Sequence, residues 1–212
     1  MSLSAHDIRK QFGPRPILTG ASITLRPGEI VFLAGANGSG KTTLARILAT
    51  ALRADRGTLM LDGEPVAQRL AAARRAIGFA THRPLLYLGL TPLENLVFFG
   101  RLAGVPDAPE RAARLLERFA MSPFAHAPVE RFSRGMLQRI ALMRALLPEP
   151  RVLVLDEPYT GLDDDGTRTL NEVLLEAKAR DAATLVISHD RDRVAPLHPR
   201  SLSMLGGKVA GA

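Results

Sequence analysis

The sequence predicts an α/β protein in which a parallel sheet is preceded by an antiparallel β part and interrupted by an inserted helical unit. Three observations predict it. The runs Glu29–Gly35, Arg151–Leu155 and Ala183–Ser188 are almost wholly apolar, the pattern of strands covered on both faces. The first two lead through loops into stretches with apolar residues at helical spacing. From about residue 84 to 148 the composition shifts to helix formers cut by Pro106, Pro123 and Pro128.

Taken in chain order, the first sixty or so residues alternate apolar and polar in short runs punctuated by Gly13, Pro14, Pro16, Gly20, Pro27 and Gly28, which suits strands joined by tight turns. Glu29–Gly35 is the first buried strand. A helix follows over Thr42–Leu52, where Leu44, Ile47, Leu48 and Ala51 share one face. Thr58–Leu61 and Ala76–Ala80 read as short strands with a helix over Val66–Arg75 between them. The inserted unit holds helices at Pro92–Arg101, Pro109–Ala120 and Arg134–Leu147. The sheet then resumes with Arg151–Leu155, a helix over Asp164–Arg180 and a last buried strand at Ala183–Ser188. The tail Ser201–Ala212 adds one edge strand around a Gly206-Gly207 turn.

Composition excludes several classes. With 212 residues, 46% hydrophobic and 23% charged, the chain buries a core and is not disordered. It has no cysteine, which removes disulfides, thiolate zinc sites and cysteine nucleophiles. No apolar run reaches the roughly 18 residues needed to span a bilayer, and Met1–Gln11 is polar instead of leader-like, so a cytoplasmic placement is expected. The net charge of +7 comes mostly from arginines scattered along expected helices, a solvated surface instead of a nucleic-acid footprint.

Gly35-Ala36-Asn37-Gly38-Ser39-Gly40-Lys41-Thr42 fits the phosphate-loop pattern and lies between a buried strand and a helix, where that pattern works. Glycines let successive N–H groups and the helix N-terminus converge on an anion. Lys41 adds a cation for terminal phosphates, and Thr42 offers a hydroxyl to magnesium. Val152-Leu153-Val154-Leu155-Asp156-Glu157-Pro158 supplies the partner carboxylates at the end of a buried strand. Asp156 is suited to hold hydrated magnesium, and Glu157 to accept a hydrogen bond or proton from an attacking water. The expected fold is a P-loop NTPase core, and its cofactors are ATP and magnesium.

At this point the chain resembles the ATP-binding subunits of ABC transporters, over nearly its whole length and in the right order. The resemblance implies that Asn37, Gly38, Ser39, Gly40, Lys41, Thr42 and Thr43 bind nucleotide, that Phe12 stacks on adenine and that Ile17 packs beside it. Phe132-Ser133-Arg134-Gly135-Met136 falls at the family signature, which assigns Ser133, Gly135 and Met136 to phosphate contact. Gly161-Leu162-Asp163 falls at the D-loop, adding Asp163, and His189 at the switch histidine, which with Glu157 forms the catalytic pair. His82 stands where the family carries a glutamine, and is read as a magnesium neighbour acting through a water. Arg134 and Met136 replace a glycine of the signature and its glutamine.

The resemblance further implies a single ABC nucleotide-binding domain over 1–212, with an ATP-binding core at 1–81 and 149–212 and a helical subdomain at 82–148. It implies an ATPase that dimerises on ATP, as a homodimer or with a like subunit, and drives separate transmembrane subunits from the cytoplasmic face of the membrane. The helical insert, with Pro84–Gly104 rich in leucines and aromatics, is the expected dock for that partner. His82, the Thr91-Pro92-Leu93-Glu94-Asn95-Leu96 segment and Tyr159-Thr160 ahead of the D-loop look like the haem-exporter (CcmA) type of cytochrome c maturation. Subunits for drugs, lipids or ions share most of these letters. A soluble ABC ATPase acting on nucleic acid or ribosomes is the rival from another class, and no nucleic-acid partner is expected.

Overall fold

The structure, a computed structural model, describes residues 1–211; the last residue of the expected tail strand, Ala212, lies outside them. Strands β1 (Leu3–Phe12) and β2 (Arg15–Leu25) form an antiparallel hairpin, as the alternating pattern predicts: Leu3, Ala5 and Ile8 of β1 and Leu18, Ala21, Ile23 and Leu25 of β2 turn inward. β3 (Ile30–Gly35) and α1 (Lys41–Leu48) follow, then β4 (Arg56–Leu61) and the two-residue β5 (Glu64–Pro65). The first sheet has the order β2-β1-β4-β5.

The expected helix over Val66–Arg75 is divided. A single 3-10 turn covers Val66–Gln68, and α2 (Leu70–Ala76) begins after Arg69. Arg69 leaves helical dihedrals at φ −133° and turns its guanidinium back to the Glu64 carboxylate. β6 (Ile77–Ala80) precedes the three helices predicted for the insert: α3 (Pro92–Leu102), α4 (Ala108–Arg118) and α5 (Arg134–Leu146). α3 starts with a capping box in which Glu94 N donates to Thr91 Oγ1 (3.2 Å) and Thr91 N donates to Glu94 Oε2 (2.8 Å), with Pro92 at the first helical position. β7 (Val152–Asp156), α6 (Asp164–Ala179), β8 (Ala183–Ile187) and α7 (Arg191–Val194) complete the crossover units.

The tail differs from the single expected edge strand. β9 (Arg200–Leu205) pairs parallel with β3 inside the main sheet, and β10 (Lys208–Gly211) returns antiparallel as the edge. Gly206 and Gly207, at φ 56° and 75°, supply the two positive dihedrals that a tight hairpin turn of matching twist requires. Leu202 and Met204 point inward, so β9 carries the period-2 pattern of a strand with a core face.

The main sheet runs β10-β9-β3-β8-β7-β6, and every residue of β7 and β8 is buried. Alternate residues feed two cores. Ile30, Phe32, Leu153, Leu155 and Val186 pack with Leu96, Leu116, Ile140, Leu170 and Leu174 from α3 to α6. Val31, Leu33, Val152, Val154, Leu185 and Ile187 pack with Leu44 and Leu48 of α1 and with the antiparallel sheet. The sheet is therefore covered on both faces, and the C-terminal ends of β3, β7 and β8 are held beside the N-terminus of α1, the usual place for a ligand in such a sheet. Among the described residues no helix is long and apolar enough to cross a membrane.

Candidate functional site

The loop between β3 and α1 curls tightly. Gly40 sits at φ 107°, and a Cβ there would meet Leu18 Cδ2 at 2.9 Å and the Ile17 carbonyl oxygen at 3.1 Å, so only glycine lets the loop pass this close to β2. Gly40 also brings no capping side chain to α1, so the helix's first-turn N–H groups are left for another acceptor. The Lys41 ammonium folds back over the loop and donates to the carbonyls of Gly35 (2.7 Å) and Ala36 (2.9 Å). A cation, a helix N-terminus and a glycine-lined concavity at one point fit a polyphosphate.

Asn37, Gly38, Gly40, Lys41, Thr42 and Thr43 form one wall of a cleft of about 350 Å³. Asp156, Glu157 and His189 line the same cleft, as do Arg15 and Ile17 of β2. Asp156 is 1% exposed, yet its Oδ2 accepts no hydrogen bond. A buried carboxylate oxygen left without a partner is costly, and a hard cation between Asp156 and the Thr42 hydroxyl would satisfy it. The donor set therefore fits magnesium carried on a nucleotide. His82, in the loop after β6, stands with Nδ1 3.9 Å from that Asp156 oxygen and 3.2 Å from Thr81 Oγ1.

Glu157 follows the last residue of β7 at φ 56°, a left-handed conformation uncommon for glutamate. Its N–H donates to the Ile187 carbonyl (2.8 Å), which ties it to the end of β8. Its Oε1 lies 3.3 Å from His189 Nε2. The carboxylate suited to engage a water and the imidazole suited to a terminal phosphate are thus in direct reach of each other.

The remaining residues expected in the site lie elsewhere in this chain. Ser39 belongs to the β3–α1 loop but does not line the cleft, and its hydroxyl is buried without a partner. Phe12 is half exposed near the turn between β1 and β2, with the Lys10 ammonium 5.6 Å from its ring centroid, and it does not line the cleft. Ser133 caps α5, its Oγ accepting from Met136 N at 3.3 Å, and Gly135 faces the 159–163 loop: a Cβ on Gly135 would overlap the Gly161 carbonyl oxygen. None of Ser133, Gly135 and Met136 lines the cleft of its own chain. Asp163 caps α6 through Gly166 N (2.9 Å) and binds Arg139 Nη2 (2.6 Å). The Gly166 N–H and the Arg139 guanidinium hold its carboxyl below the usual aspartate range.

Sequence reasoning did not single out Arg15, whose position between Phe12 and Ile17 was its only signal. It also passed over Gln138, Asn171 and Arg193, which bond to the 157–163 segment from α5, α6 and α7. Their partners are backbone carbonyls and a phenol, which no motif spells.

A profile of the ABC transporter family matches residues 18–160. The chain is 38% identical over 184 residues to the Nod factor export ATP-binding protein I of Paraburkholderia xenovorans, covering 86% of this chain and 60% of that protein. It is 34% identical over 191 residues to the ABC transporter ATP-binding protein NatA of Bacillus subtilis, covering 89% of this chain and 78% of that protein. The sulfate/thiosulfate import ATP-binding protein CysA 2 of Rhizobium meliloti is also 34% identical, over an alignment of 216 positions that covers 99% of this chain and 59% of that protein. The chain thus spans about three-fifths of the length of several curated relatives. Among solved structures, an ATP-binding subunit of an ABC transporter superposes with a TM-score of 0.91 at 26% identity, over 100% of this chain and 90% of that one. The ATP-binding cassette MJ0796, in a dimeric post-hydrolysis state with ADP and Pi, has the same fold, with a TM-score of 0.87 at 24% identity over 98% of this chain and 96% of that one.

Proposed function

This chain belongs to the ABC transporter family, and from that premise we propose that it binds magnesium and ATP in the cleft between the β3–α1 loop and the ends of β7 and β8 and hydrolyses the terminal phosphate. The reading rests on that one cleft, which gathers Lys41, Thr42, the unpartnered Asp156 oxygen and the Glu157–His189 pair. Lys41 and the first-turn N–H groups of α1 bind the phosphates, while Thr42 and Asp156 hold the metal. Bound magnesium supplies charge neutralisation across the phosphate oxygens. Glu157 orients the attacking water and accepts its proton as the water oxygen bonds to phosphorus and the bond to ADP breaks. His189 holds Glu157 on one side and reaches the terminal phosphate on the other. His82, with Nδ1 3.9 Å from the Asp156 oxygen, would reach the ion through a water.

Two copies form the complete sites in this account, Ser133, Gly135 and Met136 of one chain closing on the nucleotide of the other. Their absence from the cleft wall of their own chain supports that assignment. The power stroke acts on a separate transmembrane subunit at the cytoplasmic face of the membrane. Leu85, Tyr87 and Leu88 are each about half exposed, and Phe98 and Leu102 flank an apolar groove on α3, which suits a docking partner. We assign the haem-exporter type on His82 and on Tyr159-Thr160 ahead of Gly161; two of the relatives above are named for Nod factor export and for sulfate/thiosulfate import in place of haem. Phosphate release from ATP, with and without magnesium, tests the chemistry. Purification from detergent-solubilised membranes, with identification of attached membrane proteins and of any porphyrin absorbance, tests partner and cargo.

A further inference from the structure

Arg193 lies on α7, four residues after His189, and bonds both to the 159–162 loop and to Asp190 at the start of α7. Its Nη1 donates to the carbonyls of Tyr159 (3.3 Å) and Leu162 (3.0 Å) and to Thr167 Oγ1 (3.0 Å). Its Nε pairs with Asp190 Oδ2 at 3.1 Å, and Asp190 is the residue directly after His189. One planar guanidinium thus spans two loops, which a lysine ammonium on a flexible stem does not do with the same geometry.

A second chain of bonds closes the same gap. The Tyr159 hydroxyl donates to Asn171 Oδ1 (2.7 Å), and Asn171 Nδ2 donates to the Arg193 carbonyl (2.9 Å). Tyr159 is 4% exposed, and burial with the nearby Asp190 charge keeps its phenol protonated as a donor. On the opposite side Gln138 Nε2 reaches the carbonyls of Glu157 and Pro158, both at 3.4 Å. The carbonyls of Tyr159 and Leu162 therefore answer to Arg193, and those of Glu157 and Pro158 to α5. The loop also abuts Gly135 at Gly161 and Arg139 at Asp163.

We propose that Arg193 is a positioning residue that locks the His189-Asp190 turn to the 159–162 loop, so that a displacement of His189 at the terminal phosphate moves the loop and, through Gly161 and Asp163, the N-terminus of α5 that carries Ser133. This rests on the ATPase reading above. Its consequence is selective: Arg193 touches none of the groups that bind nucleotide, so losing it uncouples turnover from binding.

The test compares wild type, Arg193→Ala and Arg193→Lys for ATP affinity, by titration with a fluorescent ATP analogue, and for kcat and KM of hydrolysis. The expected result is an affinity and KM within about twofold of wild type, with kcat down about tenfold or more in Arg193→Ala. Arg193→Lys keeps the Asp190 pair and is expected to fall between the two. Should Arg193→Ala fail to fold, the same split in the lysine variant, whose charge and stem are retained, carries the test. A wild type that hydrolyses ATP while both variants match its kcat overturns the role of Arg193, as does a loss confined to affinity. A wild type that binds but never hydrolyses ATP overturns instead the reading on which the role rests.

Discussion

Gly135 and Gly161 meet backbone to backbone: the position a Cβ on Gly161 would occupy lies 3.1 Å from Gly135 Cα, and a Cβ on Gly135 would overlap the Gly161 carbonyl oxygen. The first turn of α5 and the loop after Glu157 therefore approach as closely as two backbones can, with no side chain between them. Gly135→Ala is expected to cost about 1–3 kcal/mol, the usual range for an overpacked contact, because backbone cannot yield as a flexible side chain does. It is also expected to slow hydrolysis, since the displaced loop begins at Glu157. Thermal unfolding read beside phosphate release checks both; an alanine variant with wild-type stability would contradict a backbone-to-backbone contact between Gly135 and Gly161.

Asp163 gives a pH dependence with a defined sign. The Gly166 N–H and Arg139 lower its carboxyl from the ordinary 3.8, so its charge adds stability that is complete above the unfolded-state value and is lost as pH falls through the lower folded value. Asp163→Asn keeps an oxygen for the cap and loses the ion pair. Wild type is expected to be the more stable at pH 7, by about 1 kcal/mol or less for so exposed a pair. The difference should begin to close only below about pH 3.8. Melting temperatures of both proteins across pH 3 to 7 check it, and a gap that closed already between about pH 5 and 6 would point to another group.

His82→Gln is expected to retain magnesium-dependent hydrolysis within about threefold, because the amide supplies a carbonyl oxygen, which suits a hydrated hard cation at least as well as an imidazole does. Activity titrated against magnesium in both proteins is the measurement. Loss of activity in His82→Gln would assign the imidazole a role that an amide cannot fill.

Ser133 is expected to matter to the opposite copy. Mixing Ser133→Arg chains with Lys41→Ala chains concentrates both defects in one site of each heterodimer and leaves the other intact, so hydrolysis should partly recover over either variant alone. A mixture that forms heterodimers and stays inactive would contradict independent composite sites.

The parts of this protein legible in its sequence are those where one physical pattern admits one structure. Almost wholly apolar runs became the fully buried β7 and β8, and the glycine spacing at 35, 38 and 40 became a loop with all three at positive φ. The tail differs from the expected single edge strand because period-2 alternation over Arg200–Leu205 suits an edge strand as well as an inner one, and the place of these residues beside β3 is decided by a parallel pairing that leaves no local mark. The break at Arg69 falls inside a run of helix formers, and the partner of its side chain, Glu64 of β5, is not marked by helical periodicity. The same holds for the site. Lys41, Thr42, Asp156, Glu157 and His189 are spelled by motifs and meet in one cleft, whereas Arg193 acts on backbone carbonyls that every sequence has.

The most direct measurement is the oligomeric state of Glu157→Gln in ATP. Glutamine preserves the shape of the side chain and its reach to His189, 3.3 Å from the native carboxylate, while removing the proton acceptor that the water requires. ATP is then bound and not consumed. The account predicts that size-exclusion chromatography with light scattering finds Glu157→Gln as a dimer in magnesium and ATP and as a monomer in ADP, with hydrolysis reduced by about a hundredfold or more. A Glu157→Gln protein that binds ATP yet remains monomeric, or that still turns ATP over at the wild-type rate, would contradict it.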